Sequence, residues 1–350
     1  MKYIEVFSGI GGFRKATELL NVDFETKFKC KGFSEIDPFA LKTYEANYQL
    51  NGEVRMSDII EFASSKKNID KLSNFNLLLG GFPCQAFSLL GLQRGFDDDR
   101  GSILFSIHNI LRIKKPSFIV LENVRHIQRH DNGKTLESIL LFFKKHKYKF
   151  IKTVVLDTQN FGLPQRRSRI FIVCSLKKLN INLTESAIIE NFKKIKDNSL
   201  YRYKDVRSIL KKKVDSKYYL SRKIKHTILA NGSKNFLSKS QIDLSLARTL
   251  TATMMKMHRA CQDNYYSDDF IQKGKSHKET KPKVLYGKPV RRLTPEEALK
   301  LQGFNGKFYR NARKKDISDF QLYKQAGNAL SVNTAYALLH YLFVHLKLRP

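Results

Sequence analysis

From Lys2 to about residue 175, short apolar strand-like runs alternate with helical ones, and this alternation constrains the fold more than any other feature of the chain. Lys2–Phe7 reads as a strand, Gly9-Ile10-Gly11-Gly12 as a turn and Phe13–Leu20 as a helix. A second strand around Gly32–Ser34 ends at Glu35-Ile36-Asp37, and Pro38 suits the first turn of a helix through Tyr48. The run at Leu77–Leu79, a helix over Ser102–Arg112 and a strand over Phe118–Leu121 follow. Thr135–His146 reads as a helix, and Phe150–Leu156 and Arg169–Cys174 as strands. Such spacing demands an α/β fold with a mostly parallel sheet covered by helices. Open sheets of that kind place their chemistry beyond the carboxyl ends of the strands.

After Cys174 the pattern decays into lysine-, asparagine- and serine-rich sequence as far as Lys288, with short apolar pieces such as Tyr218-Tyr219-Leu220, Ile228-Leu229 and Leu244–Leu246. This predicts a second, smaller domain of short strands and loops, with polar Lys273–Lys283 as a loop. Order returns at Thr294-Pro295-Glu296-Glu297, where threonine caps, proline takes the first helical position and glutamates fill the first turn of a helix through Leu301. Thr334–Leu348 reads as a closing helix laid back on the first domain. The expected segments are therefore 1–175, 176–290 and 291–350.

The chain of 350 residues carries 64 Lys and Arg against 32 Asp and Glu, a net +32. Such an excess favours a polyanionic partner, most simply nucleic acid, and disfavours a small neutral one. It says nothing about which sequence is read. The 4 cysteines, Cys30, Cys84, Cys174 and Cys261, are widely spaced without a Cys-x-x-Cys, so neither a disulfide scaffold nor a structural zinc site is expected. A reducing, intracellular setting follows. Glu5 and the glycines after it break the opening apolar run, which argues against a secretory signal. No stretch reads as long and apolar enough to cross a bilayer.

Four segments can carry chemistry. In Phe75–Gln85, Gly80 and Gly81 remove side chains where another molecule can approach, and Pro83 fixes φ immediately before Cys84. Cys84 is either the reactive thiol or a small buried hydrophobe after a turn. Phe7-Ser8-Gly9-Ile10-Gly11-Gly12, a strand end opening a helix, suits a nucleotide-like ligand, although the spacing departs from the dinucleotide fingerprint. Glu35 ends the next strand, where a carboxylate can accept from both ribose hydroxyls. Asp58 either accepts from an adenine amine or caps the helix that Ile59 opens. With no phosphate-gripping lysine of the Walker type, the ligand implied is adenosyl-like, which argues against a kinase or ATPase. Glu122-Asn123-Val124 closes its strand on the rim that Cys84 shares, so Glu122 is a carboxyl able to protonate a ring nitrogen or else a solvated strand end. Arg167 and Arg169, spaced by two on an extended segment, project to one side and can hold a pyrimidine carbonyl and a phosphate, or they form a surface basic run.

Taken together, these segments resemble the C5-cytosine DNA methyltransferase family, and the layout is similar to the small bacterial modification enzyme that methylates GCGC. FSGIGGF, GGFPCQAFS with GLQRGFDDDRGS, LENV, GLPQRRSRIF, RRLTPEEALKLQGF and YKQAGNAL stand in the family's order along almost the whole chain. The stretch from about Leu176 to Lys288 lacks a strong match, and there the family carries target recognition. The resemblance implies a Rossmann-like S-adenosylmethionine-dependent catalytic domain over 1–175, a target-recognition domain over 176–290, and a hinge helix and returning segment over 291–350.

Residue by residue, the resemblance implies that Cys84 adds to cytosine C6, that Glu122 engages N3 and the exocyclic amine, and that Asn123 shapes the site. Arg167 is expected on the cytosine carbonyl and Arg169 in support. Phe7, Ser8, Ile10, Gly11, Gly12, Glu35, Ile36, Asp58, Ile59, Pro83, Ile103, Asn328 and Ala329 are expected to line the S-adenosylmethionine pocket, with S-adenosylhomocysteine as product and no metal. Gln85 to Arg100 corresponds to a loop that closes over DNA, with Ser88 near the space a displaced base vacates. Gln85, Ser88, Arg100, Arg169, Thr249, Lys256 and Arg259 are the expected DNA contacts, Thr249-Leu250-Thr251 matching a short signature of the small domain.

Three departures stand out: Ile36 where relatives stack an aromatic on adenine, Ile103-Leu104-Phe105 for a commoner leucine-phenylalanine pair, and Ala329 where serine is frequent. The expected partner is double-stranded DNA, with the enzyme monomeric in a prokaryotic cytoplasm, a cognate restriction endonuclease acting separately, and no membrane. Methylation of a folded RNA, nucleic-acid binding without turnover, and a thiol hydrolase using His108 or His126 are the competing readings.

Overall fold

The computed structural model describes residues 1–24, 27–82, 103–195, 200–233 and 236–346. The chain forms two compact units, residues 1–157, 168–199 and 334–350 in one, and 158–167 with 200–333 in the other. These cut the chain differently from the expected boundaries near 175 and 290. Residues 176–199 stay with the first unit, 158–167 leave it, and 291–333 belong to the second.

The first unit is built on β1 (Lys2–Val6), β2 (Lys29–Phe33), β3 (Val54–Arg55), β4 (Leu77–Gly81), β5 (Phe118–Val124), β6 (Phe150–Asp157) and β7 (Ser168–Ser175), in the order β3-β2-β1-β4-β5-β7-β6. The pairs β2–β3, β1–β2, β1–β4 and β4–β5 are parallel, whereas β7 runs antiparallel between β5 and β6. The order reverses between β1 and β4, the position where such sheets open a crevice for ligands. There Val6 and Gly80 lie in register. A Cβ on Gly80 would stand 2.6 Å from Val6 Cγ2 and 2.9 Å from Val6 O, so only glycine lets the two strands close at this point.

The sheet is covered by α1 (Gly12–Asp23), α2 (Pro38–Asn47), α3 (Ile59–Ala63), α4 (Lys66–Asp70), α5 (Ile103–Lys114), α6 (Lys134–Lys145) and α7 (Glu185–Lys194). One apolar cluster runs from Ile4 and Leu78 through Ile110, Ile119 and Phe143 to Ile172, which is why β4 and the first half of β5 read as continuous apolar runs. Helix α7 lies in the stretch expected to hold short strands and loops. Thr184 caps it and its Ile188 and Phe192 are buried, two anchors in a polar decapeptide.

The second unit holds α8 (Arg222–Ile228), the hairpin β8 (Gly232–Ser233) and β9 (Phe236–Leu237), β10 (Tyr265–Ser267), α9 (Asp268–Lys273), α10 (Pro282–Leu285), β11 (Val290–Arg292), α11 (Pro295–Lys300), α12 (Gly306–Arg313) and α13 (Asp319–Asn328). Its apolar cluster joins Leu220, Ile228, Ile242, Tyr265, Leu285 and Val290. The polar stretch is a loop from 274 to 281, as expected, but an anchored one: His277 is buried with its Nε2 2.8 Å from Asp269 Oδ2 while its backbone N–H donates to Asp243 Oδ2 at 3.0 Å. Helix α11 has the predicted start, Thr294 and Glu297 forming a reciprocal capping box behind Pro295.

The chain returns to the first unit through α14 (Val332–Leu346), as expected of the closing helix. Tyr341 O–H donates to Asn182 O at 2.6 Å, and the Phe343 ring lies 4.9 Å from that of Phe24. One expectation is corrected here. Asp319–Leu346 is long and apolar enough to cross a membrane by length and composition, an 18-residue window within it having a mean hydropathy of 1.2. However, 72% of that window is buried inside the protein, so its apolar side chains are committed to the core.

Candidate active site

The turn after β1 is pinned from three directions. Phe7 adopts φ 54°, its N–H donates to Ser34 Oγ at 3.1 Å, and Ser8 N–H donates to Ser34 O at 2.8 Å. Gly9 N–H donates to Glu35 Oε2 at 2.7 Å and Asp37 N–H to Glu35 Oε1 at 2.8 Å, so the predicted Glu35 carboxylate is held facing the turn. Tyr48, one turn after Tyr44 on α2, donates its O–H to Gly11 O at 2.6 Å. Gly11 sits at φ 81°, and a Cβ there would overlap the Tyr44 and Tyr48 rings. Sequence reasoning missed those two tyrosines, although their i,i+4 spacing on a predicted helix was visible.

Around this turn Ser8, Ile10, Gly12 and Ile59 are buried, whereas Ile36 is 74% exposed. Asp58 is exposed and caps α3, its Oδ1 accepting the Ile60 N–H at 2.8 Å. A Cβ on Gly9 would meet nothing within 4 Å. Open space over the turn, an exposed aliphatic side chain beside it and a fixed carboxylate fit an adenosyl group with a ribose diol. Beneath the turn Glu5 is buried at 1% exposure, and burial pushes its carboxyl up to about 8 despite the nearby Arg14 guanidinium.

The second cluster sits where β4 and β5 end side by side. Glu122 pairs in register with Gly81, and its Oε1 lies 3.0 Å from Arg169 Nε. Their side chains are 13% and 14% exposed, so the pair is largely buried yet reaches solvent. Asn123 is buried; its amide donates to Phe82 O at 3.1 Å and its Oδ1 accepts the Val124 N–H at 2.7 Å. It thereby ties the end of β5 to the residue two before Cys84. Pro83, Cys84, Gln85, Ser88 and Arg100 lie outside the described residues. Ile103 is the first residue of α5 and half-buried. Cys30 and Cys174 are buried, and burial pushes the Cys30 thiol up to about 11 and Cys174 higher still, so neither is suited to act as a thiolate.

The geometry runs against the expected role of Arg167. It is 2% exposed, and its guanidinium donates to Leu250 O at 3.0 Å, Gly327 O at 3.0 Å and Ala329 O at 2.8 Å. The neighbouring Gln165 accepts the Leu250 N–H at 3.0 Å and donates to Leu301 O at 2.9 Å. Thr249 donates its hydroxyl to Arg166 O at 2.6 Å. Arg167 is thus the knot of the second unit, where the GLPQRR, TLT and AGNA segments meet. Asn328, exposed, and Ala329, buried, belong to that unit, whereas the other described cofactor candidates belong to the first. Lys256 is exposed and Arg259 half-buried, with Asp263 fixing the neighbouring His258 N–H at 3.0 Å. Among the described residues no group of three or more His, Cys, Asp or Glu side chains gathers as a metal site.

The family model for the C-5 cytosine-specific DNA methylases matches residues 1–343. The chain belongs to this family. The methyltransferase is 33% identical over 348 residues to the Type II methyltransferase M1.ScrFI of Lactococcus lactis subsp. cremoris, covering 96% of this chain and 76% of that one. It is 32% identical over 340 residues to the Type II methyltransferase M.NlaX of Neisseria lactamica, covering 96% and 94%. Its fold superposes on the S. pombe Dnmt2 methyltransferase with a TM-score of 0.76 at 19% identity, covering 99% of both chains. The enzyme is therefore an S-adenosylmethionine-dependent C5-cytosine DNA methyltransferase, working through the covalent addition that the family shares.

Proposed function

We propose that this methyltransferase modifies one cytosine within a specific duplex site as the methylating partner of a restriction system, with Cys84 as nucleophile and the Glu122–Arg169 pair as the polar half of the base pocket. The observation that carries this reading is the 3.0 Å pair itself, set against Gly81 at the end of the strand that leads to Cys84. The Type II designation and bacterial sources of the relatives support the restriction context and a prokaryotic host; the monomeric, cytoplasmic state belongs to the same proposal.

Cytosine C5 is a poor nucleophile while the ring is aromatic. Addition of the Cys84 thiolate at C6, with a proton passed to N3, places enamine-like electron density on C5. Bound S-adenosylmethionine supplies the electrophilic methyl group, held by the Phe7–Gly12 turn, Glu35, Ile36 and Asp58. Loss of the C5 proton and expulsion of the cysteine then restore the ring. Arg169, rather than Arg167, is the cation free to move to the cytosine carbonyl. When it does so, one cation moves away from the Glu122 carboxylate, which favours the protonated carboxyl that N3 needs. Because both faces of the base are stacked in a duplex, the cytosine must swing out, at a cost of a few kcal/mol.

Bisulfite sequencing of a plasmid rich in GCGC and other sites, exposed to enzyme and S-adenosylmethionine, reads out the target. Covalent trapping on a duplex carrying 5-fluorocytosine at that target tests the chemistry. Wild-type enzyme forms an adduct and Cys84→Ala does not, while Glu122→Gln slows single-turnover methylation by about 100- to 10,000-fold. Methylation of transfer RNA with duplex DNA untouched would overturn the reading.

A further inference from the structure

Immediately after the catalytic strand, the chain makes a 3-10 turn over Arg125–Gln128, and Arg129 closes it. Ile127, 1% exposed and part of the apolar cluster, anchors this turn to the core, whereas Arg125, His126, Gln128 and Arg129 are exposed. Neither arginine makes an ion pair or side-chain hydrogen bond among the described residues. From 118 to 136 the acidic residues are Glu122, already paired with Arg169, and Asp131.

Surface cations are common in a chain of net +32, so charge by itself selects nothing. Position does. In β5 the alternation of side chains puts Val124, 37% exposed, on the same face as Glu122, and Arg125 follows at once. Three residues span at most about 11 Å of chain, which starts Arg125 close to any nucleotide whose base meets Glu122. A nucleotide turned out of the stack carries a phosphate on either side of its sugar. These are charges that have left the regular backbone of the duplex and need new partners. Guanidinium groups match phosphate oxygens through two parallel hydrogen bonds, which a lysine does not do.

We propose that Arg125 and Arg129 form the phosphate subsite of this enzyme, gripping the two linkages that flank the extruded cytosine. The proposal rests on the reading that Glu122 meets the flipped base. The Arg125–Arg129 turn, pinned by Ile127, then holds the displaced backbone while the base occupies its pocket, so binding energy from the sugar-phosphate helps to keep the nucleotide out of the helix.

The test is a cycle between protein and DNA changes. Dissociation constants are measured for wild type, Arg125→Ala and Arg129→Ala on two duplexes containing the target. One duplex is unmodified, and the other carries uncharged methylphosphonate linkages on both sides of the target cytosine. Each substitution is expected to weaken binding to the charged duplex by about ten- to a hundredfold. It should also lower the slope of log K against log salt by about 0.9 per lost contact. On the methylphosphonate duplex wild type and variants should agree within about twofold, since the partner is already gone. Arg125→Lys should recover part of the loss. An equal loss on both duplexes, or no loss on either, overturns the proposal. Wild-type adduct formation on 5-fluorocytosine DNA separates the two levels. If no adduct forms, the reading of the site fails and the subsite with it; if the adduct forms without the coupling, the subsite alone is wrong.

Discussion

Arg167 and Arg169 look interchangeable in GLPQRRSRIF, yet they do different work. A spacing of two places side chains on one side only while the chain stays in one strand. Here β7 begins at Ser168, and Arg167 lies before it with its guanidinium on three main-chain carbonyls. Arg167→Ala leaves those buried oxygens unpaired and should lower stability by about 3 kcal/mol or more, seen as an earlier urea midpoint. Arg169→Lys, which keeps a cation beside the largely buried Glu122, should leave the urea midpoint nearly unchanged while depressing the methylation rate. Glu5 supplies a second prediction. Its carboxyl titrates near 8 in the folded chain against 4.5 when unfolded, so between those values the folded state binds more protons. Stability must therefore fall as pH rises through that window, by up to about 1.4 kcal/mol per unit. Unfolding by urea at pH 6 and pH 8 should show a decline about 2 kcal/mol larger in wild type than in Glu5→Gln.

Among the elements, those with strong local signals were legible in the chain. The α11 capping box, the Pro38 start of α2, and the apolar β1, β4 and β5 all stand where pattern and cap predict. What escaped was short or anchored at a distance. Strand β3 is two residues long and exists by pairing with β2, and α7 buries only Ile188 and Phe192. The order in 273–283 comes from Asp243 and Asp269, of which Asp243 is thirty-four residues from His277, beyond the reach of local pattern. Helix α14 adds a pH dependence of its own. His340 sits against Phe24 and accepts from or donates to Asn191 at 2.9 Å, and burial lowers its imidazole to about 4. The unfolded chain takes up a proton near 6.5 that the folded one refuses, so this contribution is present above 6.5 and lost as pH falls toward 4. Thermal unfolding at pH 7 and pH 5 should show wild type losing more stability on acidification than His340→Gln.

For the whole molecule, composition pointed to a polyanion, and the ordered motifs pointed to the family; neither revealed that the chain passes between its two units at 157, 167, 199 and 333. Periodicity reports local structure, and a boundary at Cys174 is simply where the periodicity fades. The physical units follow the proximity of chain segments in space, which carries 158–167 away and brings 176–199 and the last helix home. That repeated passage has a practical result. A gene cut at codon 199 would yield one polypeptide bearing the sheet but lacking α14, and another bearing α14 without its sheet. Neither half should methylate DNA when produced separately, and the two should regain activity when made together in one cell, because each completes the other's interior. If the 1–199 half alone methylated DNA at the full rate, the closing helix would be dispensable. Fusing the halves to partners that meet on command would turn the same break into a switch for writing methyl marks.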